Sequence, residues 1–108
     1  MIWRIRERRG FSRLSAEGRR VRAGVLWCTY VLDPPGIATP PRVAFALGRA
    51  LGPAVTRNLV RRRLRSLLND VPNLPAGSYL LGAQPAAATA SFADLKADLA
   101  ALVARIPS

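Results

Sequence analysis

The sequence contains no histidine, one cysteine and only six acidic residues among 108. Without histidine, the commonest general base and the commonest metal ligand are both missing. The lone thiol, Cys28, excludes an intramolecular disulfide and reads as a small apolar core residue rather than a reactive nucleophile. The acids Glu7, Glu17, Asp33, Asp70, Asp94 and Asp98 never pair at a spacing suited to two-carboxylate chemistry. There is no glycine-rich phosphate loop and no zinc-ligand spacing. Catalysis by this chain alone is therefore not expected, nor is a metal of its own. No apolar run approaches the ~20 residues that span a bilayer. The N-terminus also lacks the apolar segment of a signal peptide, so the expected compartment is the cytoplasm.

Against six acids stand 17 lysines and arginines, giving a net charge of +11. The charge is clustered. Arg4, Arg6, Arg8, Arg9, Arg13, Arg19, Arg20 and Arg22 precede Ala23, and Arg57, Arg61, Arg62, Arg63 and Arg65 fall within nine positions. Such an excess at this length points to a polyanion, either nucleic acid or an anionic membrane surface. Half of the residues are apolar, and 108 residues suffice for one small core. The expected organisation is a single domain, with residues 1–8 as a basic arm and 9–108 as the globular part.

The second cluster sits on a predicted helix. In LGPAVTRNLVRRRLRSLL, residues 51–68, Val60, Leu64, Leu67 and Leu68 recur at helical spacing and make one apolar stripe. Asn58, Arg61, Arg62 and Arg65 fall within about 100° of arc away from that stripe. Gly52-Pro53 marks the turn before the helix, Thr56 is a candidate N-cap or first-turn donor, and Val71-Pro72 stops it. Arg57/Arg61, Arg61/Arg65 and Arg62/Arg65 are like-charge neighbours, each costing the isolated helix roughly 0.2–0.5 kcal/mol. No acid in the run offsets them. An ordinary solvated face mixes both signs, whereas a pure arginine face suits phosphate oxygens and nucleobases.

Elsewhere, a short basic helix is predicted over Arg9 to Ala16, ended by Gly18 and preceded by an extended arm. Its Phe11, flanked by Arg9 and Arg13, is either a core residue or a platform for an unpaired base. Val25–Leu32 reads as a strand that ends at Asp33-Pro34-Pro35-Gly36. In the next strand, RVAFALG, Val43, Phe45 and Leu47 alternate with Ala44, Ala46 and Gly48, giving one bulky and one nearly bare face. The bare face is either the floor of a groove or the seat of a closely packed helix. Ser78–Ala83 reads as a third strand and Gln84–Ala90 as a flexible alanine-rich connector. Phe92–Ile106 reads as a core-packing helix with Ser91 as N-cap, its apolar face formed by Phe92, Leu95, Leu99, Leu102, Val103 and Ile106.

At GPAVTRNLVRRRLR the sequence resembles the bacterial ribonuclease P protein family, whose signature is an Arg-Asn-Arg motif followed by a basic run. The resemblance extends from Phe11 and Gly18, through Arg42-Val43-Ala44-Phe45 and Gly52-Pro53-Ala54-Val55, to the helix opening at Phe92. It implies an α+β fold: a single-domain α-β-β-β-α-β-α sandwich, ribosomal-protein-like, with a left-handed βαβ crossover through a helix at Ala54–Asn69. Most such crossovers are right-handed. The implied function is that of a noncatalytic protein subunit, partnered by a catalytic RNA, which helps remove the 5′ leader of precursor tRNA. The implied RNA-binding residues are Arg57, Asn58, Arg61, Arg62 and Arg65, with Arg49, Arg9 and Arg13. The implied leader cleft comprises Phe11, Thr29, Ala44 and Ala46. Mg2+ is expected to be held mainly by the RNA, with neither a membrane nor a further protein partner required. The sequence departs from the family pattern at Leu59, in place of the motif's second arginine, at Gly48-Arg49-Ala50, in place of a Ser-Lys-Lys-like stretch, and at Ser15, in place of a second aromatic. Two competing classes are a ribosomal-type or general RNA-binding domain and a basic membrane-surface protein. The latter needs a large exposed apolar face beside the arginines.

Overall fold

Side-chain alternation along the strands sorts the sheet into a core face and an outer face. A computed structural model describes residues 3–4, 14, 16–36, 40–72 and 74–107. Five strands form one sheet: β1 (Trp3–Arg4), β2 (Arg19–Ala23), β3 (Leu26–Leu32), β4 (Arg42–Ala46) and β5 (Gly77–Ala83). Their spatial order is β1-β4-β5-β3-β2. β2 with β3 and β3 with β5 are antiparallel, whereas β1 with β4 and β4 with β5 are parallel. Two helices follow the strands, α1 (Ala54–Asn69) and α2 (Phe92–Ala104). Leu14, Ala16 and Glu17 are also helical. Apart from the two-residue β1, the element order is the α-β-β-β-α-β-α sequence expected from the resemblance.

Because β4 and β5 are parallel neighbours, the chain must cross over between them, and α1 is that crossover. Val60, Leu64, Leu67 and Leu68 are its buried residues, the four that the apolar periodicity marks. They share one core with Leu26, Cys28 and Tyr30 of β3, Val43 of β4, Tyr79 and Leu81 of β5, and Leu95, Leu99 and Leu102 of α2. Both helices therefore cover the same face of the sheet. Ile106 adds to this core just past the end of α2.

Local chemistry explains the boundaries. Pro53, extended at φ −65° and ψ 167°, is the N-cap of α1, so Thr56 lies inside the helix and does not cap it. The Asp70 N–H donates back to the carbonyls of Leu67 and Leu68 and closes the other end. Ser91 caps α2 as expected, accepting from the Asp94 N–H at 3.0 Å. Its neighbour Phe92 departs from expectation: it occupies the first helical position and is 45% exposed. Residues 84–90 also differ from the expected flexible connector. Pro85–Ala88 is a 3-10 turn, opened by Pro85 and seated by a buried Ala87, whose single methyl allows close approach to the core.

β2 was not visible in the apolar pattern, since RRVRA buries only Ala23 fully. It is an edge strand, and arginine is a residue type that discourages pairing of an exposed edge with another chain. Its two-residue turn into β3 is fixed from α2. Gly24 takes φ +57°, and a Cβ there would collide with the Asp98 carboxylate, whose Oδ2 accepts from the Val25 N–H at 3.1 Å. Arg105 donates to the Arg22 carbonyl oxygen and ties the same hairpin to the end of α2.

Cys28 is buried in the core, and loss of hydration pushes its thiol up to about 12. It should resist a thiol-labelling reagent at pH 8 in the native state and react fully once unfolded. Between pH 9 and 11 the unfolded chain releases this proton while the folded chain keeps it. Stability should therefore fall as pH rises through that window, a slope measurable by urea denaturation and reduced in Cys28→Ala.

Candidate nucleic-acid interface

Since α1 spends one face on the core, its arginines are forced to the other. Asn58, Arg62 and Arg65 are exposed, and Arg57 and Arg61 half-buried. None of these four arginines has an acidic partner among the described residues. Arg61 Nη1 donates to Asn58 Oδ1 at 2.8 Å, which orients that guanidinium while leaving its remaining donors available. The Arg65 guanidinium lies 5.9 Å from the Phe45 ring centroid, at the outer limit of a cation–π contact. Arg57 Nε is enclosed and makes no hydrogen bond. Arg63 departs from the group, since its Nη1 reaches the Ala90 carbonyl at 3.4 Å and braces α1 internally. Arg49 is exposed in the 3-10 turn Arg49–Leu51 that links β4 to α1.

A second surface is the outer face of the sheet, on the side away from both helices. Register places Ala44 of β4, Leu80 of β5, Thr29 of β3 and Arg20 of β2 in one row. Ala46, Gly82, Trp27 and Arg22 form the next. Ala44 and Ala46 are half-buried, as a floor of methyl groups would be. Thr29 is less open than a floor residue, because a Cβ on Gly18 would collide with its Cγ2, so the end of the first helix stands directly over it. Phe11, Arg9 and Arg13 lie outside the described residues. Trp27, Leu80, Arg20 and Arg22 share this face and were not singled out from sequence. The alternation of β3 contained the signal for Trp27, since the strand period that places Thr29 on this face places Trp27 there as well.

Metal binding by the protein does not fit these surfaces. No group of three or more His, Cys, Asp or Glu side chains is placed to hold a metal among the described residues. The one amide oxygen on the basic face, Asn58 Oδ1, already accepts from Arg61. Four guanidinium groups around it repel a divalent cation.

The family model described as Ribonuclease P matches residues 2–107. The chain belongs to the bacterial ribonuclease P protein family. Among its relatives is the ribonuclease P protein component of Thermobifida fusca, 40% identical over 103 residues covering 89% of this chain and 70% of that one. Another is that of a Nocardioides species, 38% identical over 105 residues covering 95% and 90%. Solved structures share the fold. The RNase P protein of Thermotoga maritima superposes with a TM-score of 0.82 at 19% identity, covering 97% of this chain and 98% of that one. The Staphylococcus aureus protein gives 0.81 at 19%, covering 94% and 93%.

In this ribonuclease P protein, Leu59 is half-buried on α1 and supplies no donor where the family motif has its second arginine. The basic face is thus built from Arg57, Asn58 and the downstream run. Because Arg62 and Arg65 carry unneutralised like charge on an exposed surface, Arg62→Ala with Arg65→Ala should leave the melting temperature within a few degrees of the parent or raise it, checked by calorimetry. A loss of many degrees would mean that these side chains hold the fold.

Proposed function

We propose that Arg57, Asn58, Arg61, Arg62 and Arg65 on α1, with Arg49, Arg9 and Arg13, hold the catalytic RNA, and that the outer sheet face around Ala44, Ala46 and Thr29, with Phe11, receives the 5′ leader. The chain is the protein component of a ribonucleoprotein that processes precursor tRNA at its 5′ end, and the cleaving groups belong to the RNA. The observation that carries the residue assignment is the α1 face, where four arginines lie together without an acidic partner among the described residues. Guanidinium donors left unpaired by the protein are matched by phosphate oxygens, which position an RNA without reading its sequence. The sheet face suits a single strand, since small side chains admit a backbone and bases in close contact.

Mg2+ is assigned to the RNA, because the basic face offers a divalent ion repulsion and few oxygen ligands. The protein acts in the cytoplasm, where precursor tRNA is made and processed. No helix among the described residues is long and apolar enough to cross a membrane. Most apolar residues of α1 and α2 are committed to the core. The large apolar side chains left exposed among the described residues, Val55 and Phe92, sit on different helices and do not make the broad apolar face that membrane-surface binding requires.

Assembly with the RNA subunit should weaken steeply with salt, since each phosphate contact releases counterions. A filter-binding titration between low and physiological salt measures this, and an almost flat response would remove α1 as the contact surface. Arg62→Ala with Arg65→Ala should weaken assembly about equally for every precursor tRNA and reduce the salt slope by roughly two. Protein free of RNA should leave precursor tRNA intact. Cleavage by RNA-free protein that persists when contaminating nucleases are controlled would overturn the division of labour.

A further inference from the structure

The most unusual side chain on the outer sheet face is Trp27. It is half-buried rather than buried, and the core cluster does not include it. Its ring lies directly over Gly82 of the neighbouring β5, so closely that a Cβ at Gly82 would collide with Cε2 and Cζ2. From the other neighbour, β2, Arg20 sets its guanidinium carbon 4.1 Å from the Trp27 ring centroid. Arg20 and Arg22 are exposed and have no acidic partner among the described residues.

We propose that Trp27 and Arg20 form a nucleotide-stacking subsite that extends the groove across the sheet to β2 and takes an unpaired nucleotide of the 5′ leader, an inference that rests on the outer sheet face being the leader groove. Three features carry it. The first is the platform. Gly82 supports the indole from beneath, and a guanidinium stacked on an indole is a planar pair on which a nucleobase stacks, either upon the guanidinium or in its place upon the ring. The guanidinium edge keeps its N–H donors for the adjoining phosphate.

The second feature is the approach. Within the row that contains Trp27, the positions toward β4 are Gly82 and Ala46, so the sheet itself raises no large side chain between β4 and the indole. Two strand spacings, roughly 10 Å, separate Ala46 from Trp27. An extended RNA strand covers that span in a few nucleotides at most. The third feature is continuity of charge. β4 runs on past Ala46 into Gly48-Arg49 and the start of α1 with Arg57 and Asn58, at the same end of the sheet as the β2–β3 hairpin that bears Arg22. A strand crossing this row thus leaves the basic helix on one side and meets Arg20 and Arg22 on the other. The occupant is single-stranded because a duplex keeps its base faces stacked within itself.

Trp27 lies two residues from Thr29 on the same face of β3, so the subsite adjoins the proposed leader cleft.

The test uses enzyme reconstituted from the full chain and a bacterial catalytic RNA, with precursor tRNAs bearing short or long single-stranded leaders. Trp27→Ala should weaken binding of the long-leader substrate by roughly 5- to 100-fold. It should leave the short-leader substrate, mature tRNA and assembly with the RNA subunit unchanged. Trp27→Phe, which keeps an aromatic face, should restore most of the loss, and Arg20→Gln should produce a smaller loss with the same dependence on leader length. In a Trp3→Phe chain, Trp27 is the one remaining indole, and its fluorescence should be quenched by a saturating single-stranded oligoadenylate. Equal weakening of short- and long-leader substrates by Trp27→Ala, or unaltered emission at saturating oligoadenylate, would overturn the subsite. Either result would leave the α1 assignment standing, because that is read from assembly of Arg62 and Arg65 variants. If Trp27→Ala is too unstable to assemble, Arg20→Gln and the fluorescence titration decide the matter alone.

Discussion

Burial of Val60, Leu64, Leu67 and Leu68 beneath α1 is what allows a helix whose arginines have no acidic partner among the described residues to exist. Three like-charge neighbour pairs cost the helix roughly 1 kcal/mol together. Each buried aliphatic side chain contributes about 1.5–3 kcal/mol, so the apolar face outweighs the repulsion severalfold. The helix does not depend on charge pairing along its exposed side, and its arginines are free to carry their charge outward. An acid at Ser66 or Asn69 would relieve the repulsion at the expense of the electrostatic field that draws an RNA. A helix stabilised from one face is thereby free to keep its other face basic.

The same asymmetry governs the sheet. Both α1 and α2 bury their apolar faces on one side, where Cys28, Tyr30, Tyr79 and Leu81 meet them. The opposite side keeps Ala44, Ala46 and Gly82, residues too small to build a second core. On this side the end of the first helix stands above Thr29 and the Trp27 ring above Gly82. The hairpin that presents Arg20 and Arg22 is pinned through its Gly24-Val25 turn to Asp98 and through the Arg22 carbonyl to Arg105. α2 carries no part of the basic surface, yet it positions one edge of that surface.

Legibility in the sequence followed the strength of periodicity. α1 was readable because its apolar stripe and its arginine cluster use the same 3.6-residue period out of phase, so each confirms the other. The bulky and bare faces of β4 were readable for the equivalent reason at period two. β2 was not, because an edge strand exposes most of its side chains and RRVRA has almost no apolar alternation to detect. The 3-10 turn at Pro85–Ala88 was hidden because alanine reports neither burial nor exposure. Phe92 was misplaced because its apolar character extends the α2 stripe, while the first turn of that helix projects beyond the core. Trp27 was missed although its residue type was conspicuous and the alternation that sets Thr29 on the outer face sets it there too. The element order around the crossover came from family resemblance, which carries topology that periodicity does not.

The parallel pairing of β4 with β5 has a consequence for recognition beyond chain connectivity. To run β5 beside β4 in the same direction, the chain leaves the end of β4, climbs through Arg49–Leu51 and returns along α1. The N-terminus of α1 is thus delivered to the end of the sheet at which β4 finishes, the end shared by the row of Ala46, Gly82, Trp27 and Arg22. An antiparallel β4–β5 pair joined by a tight turn would need no such helix. Arg49, Arg57 and Asn58 would then have no element to carry them to the groove. The crossover therefore joins a surface suited to phosphates to one suited to bases. On the assignments proposed above, that adjacency lets one small domain with a single core address two different parts of an RNA assembly at once.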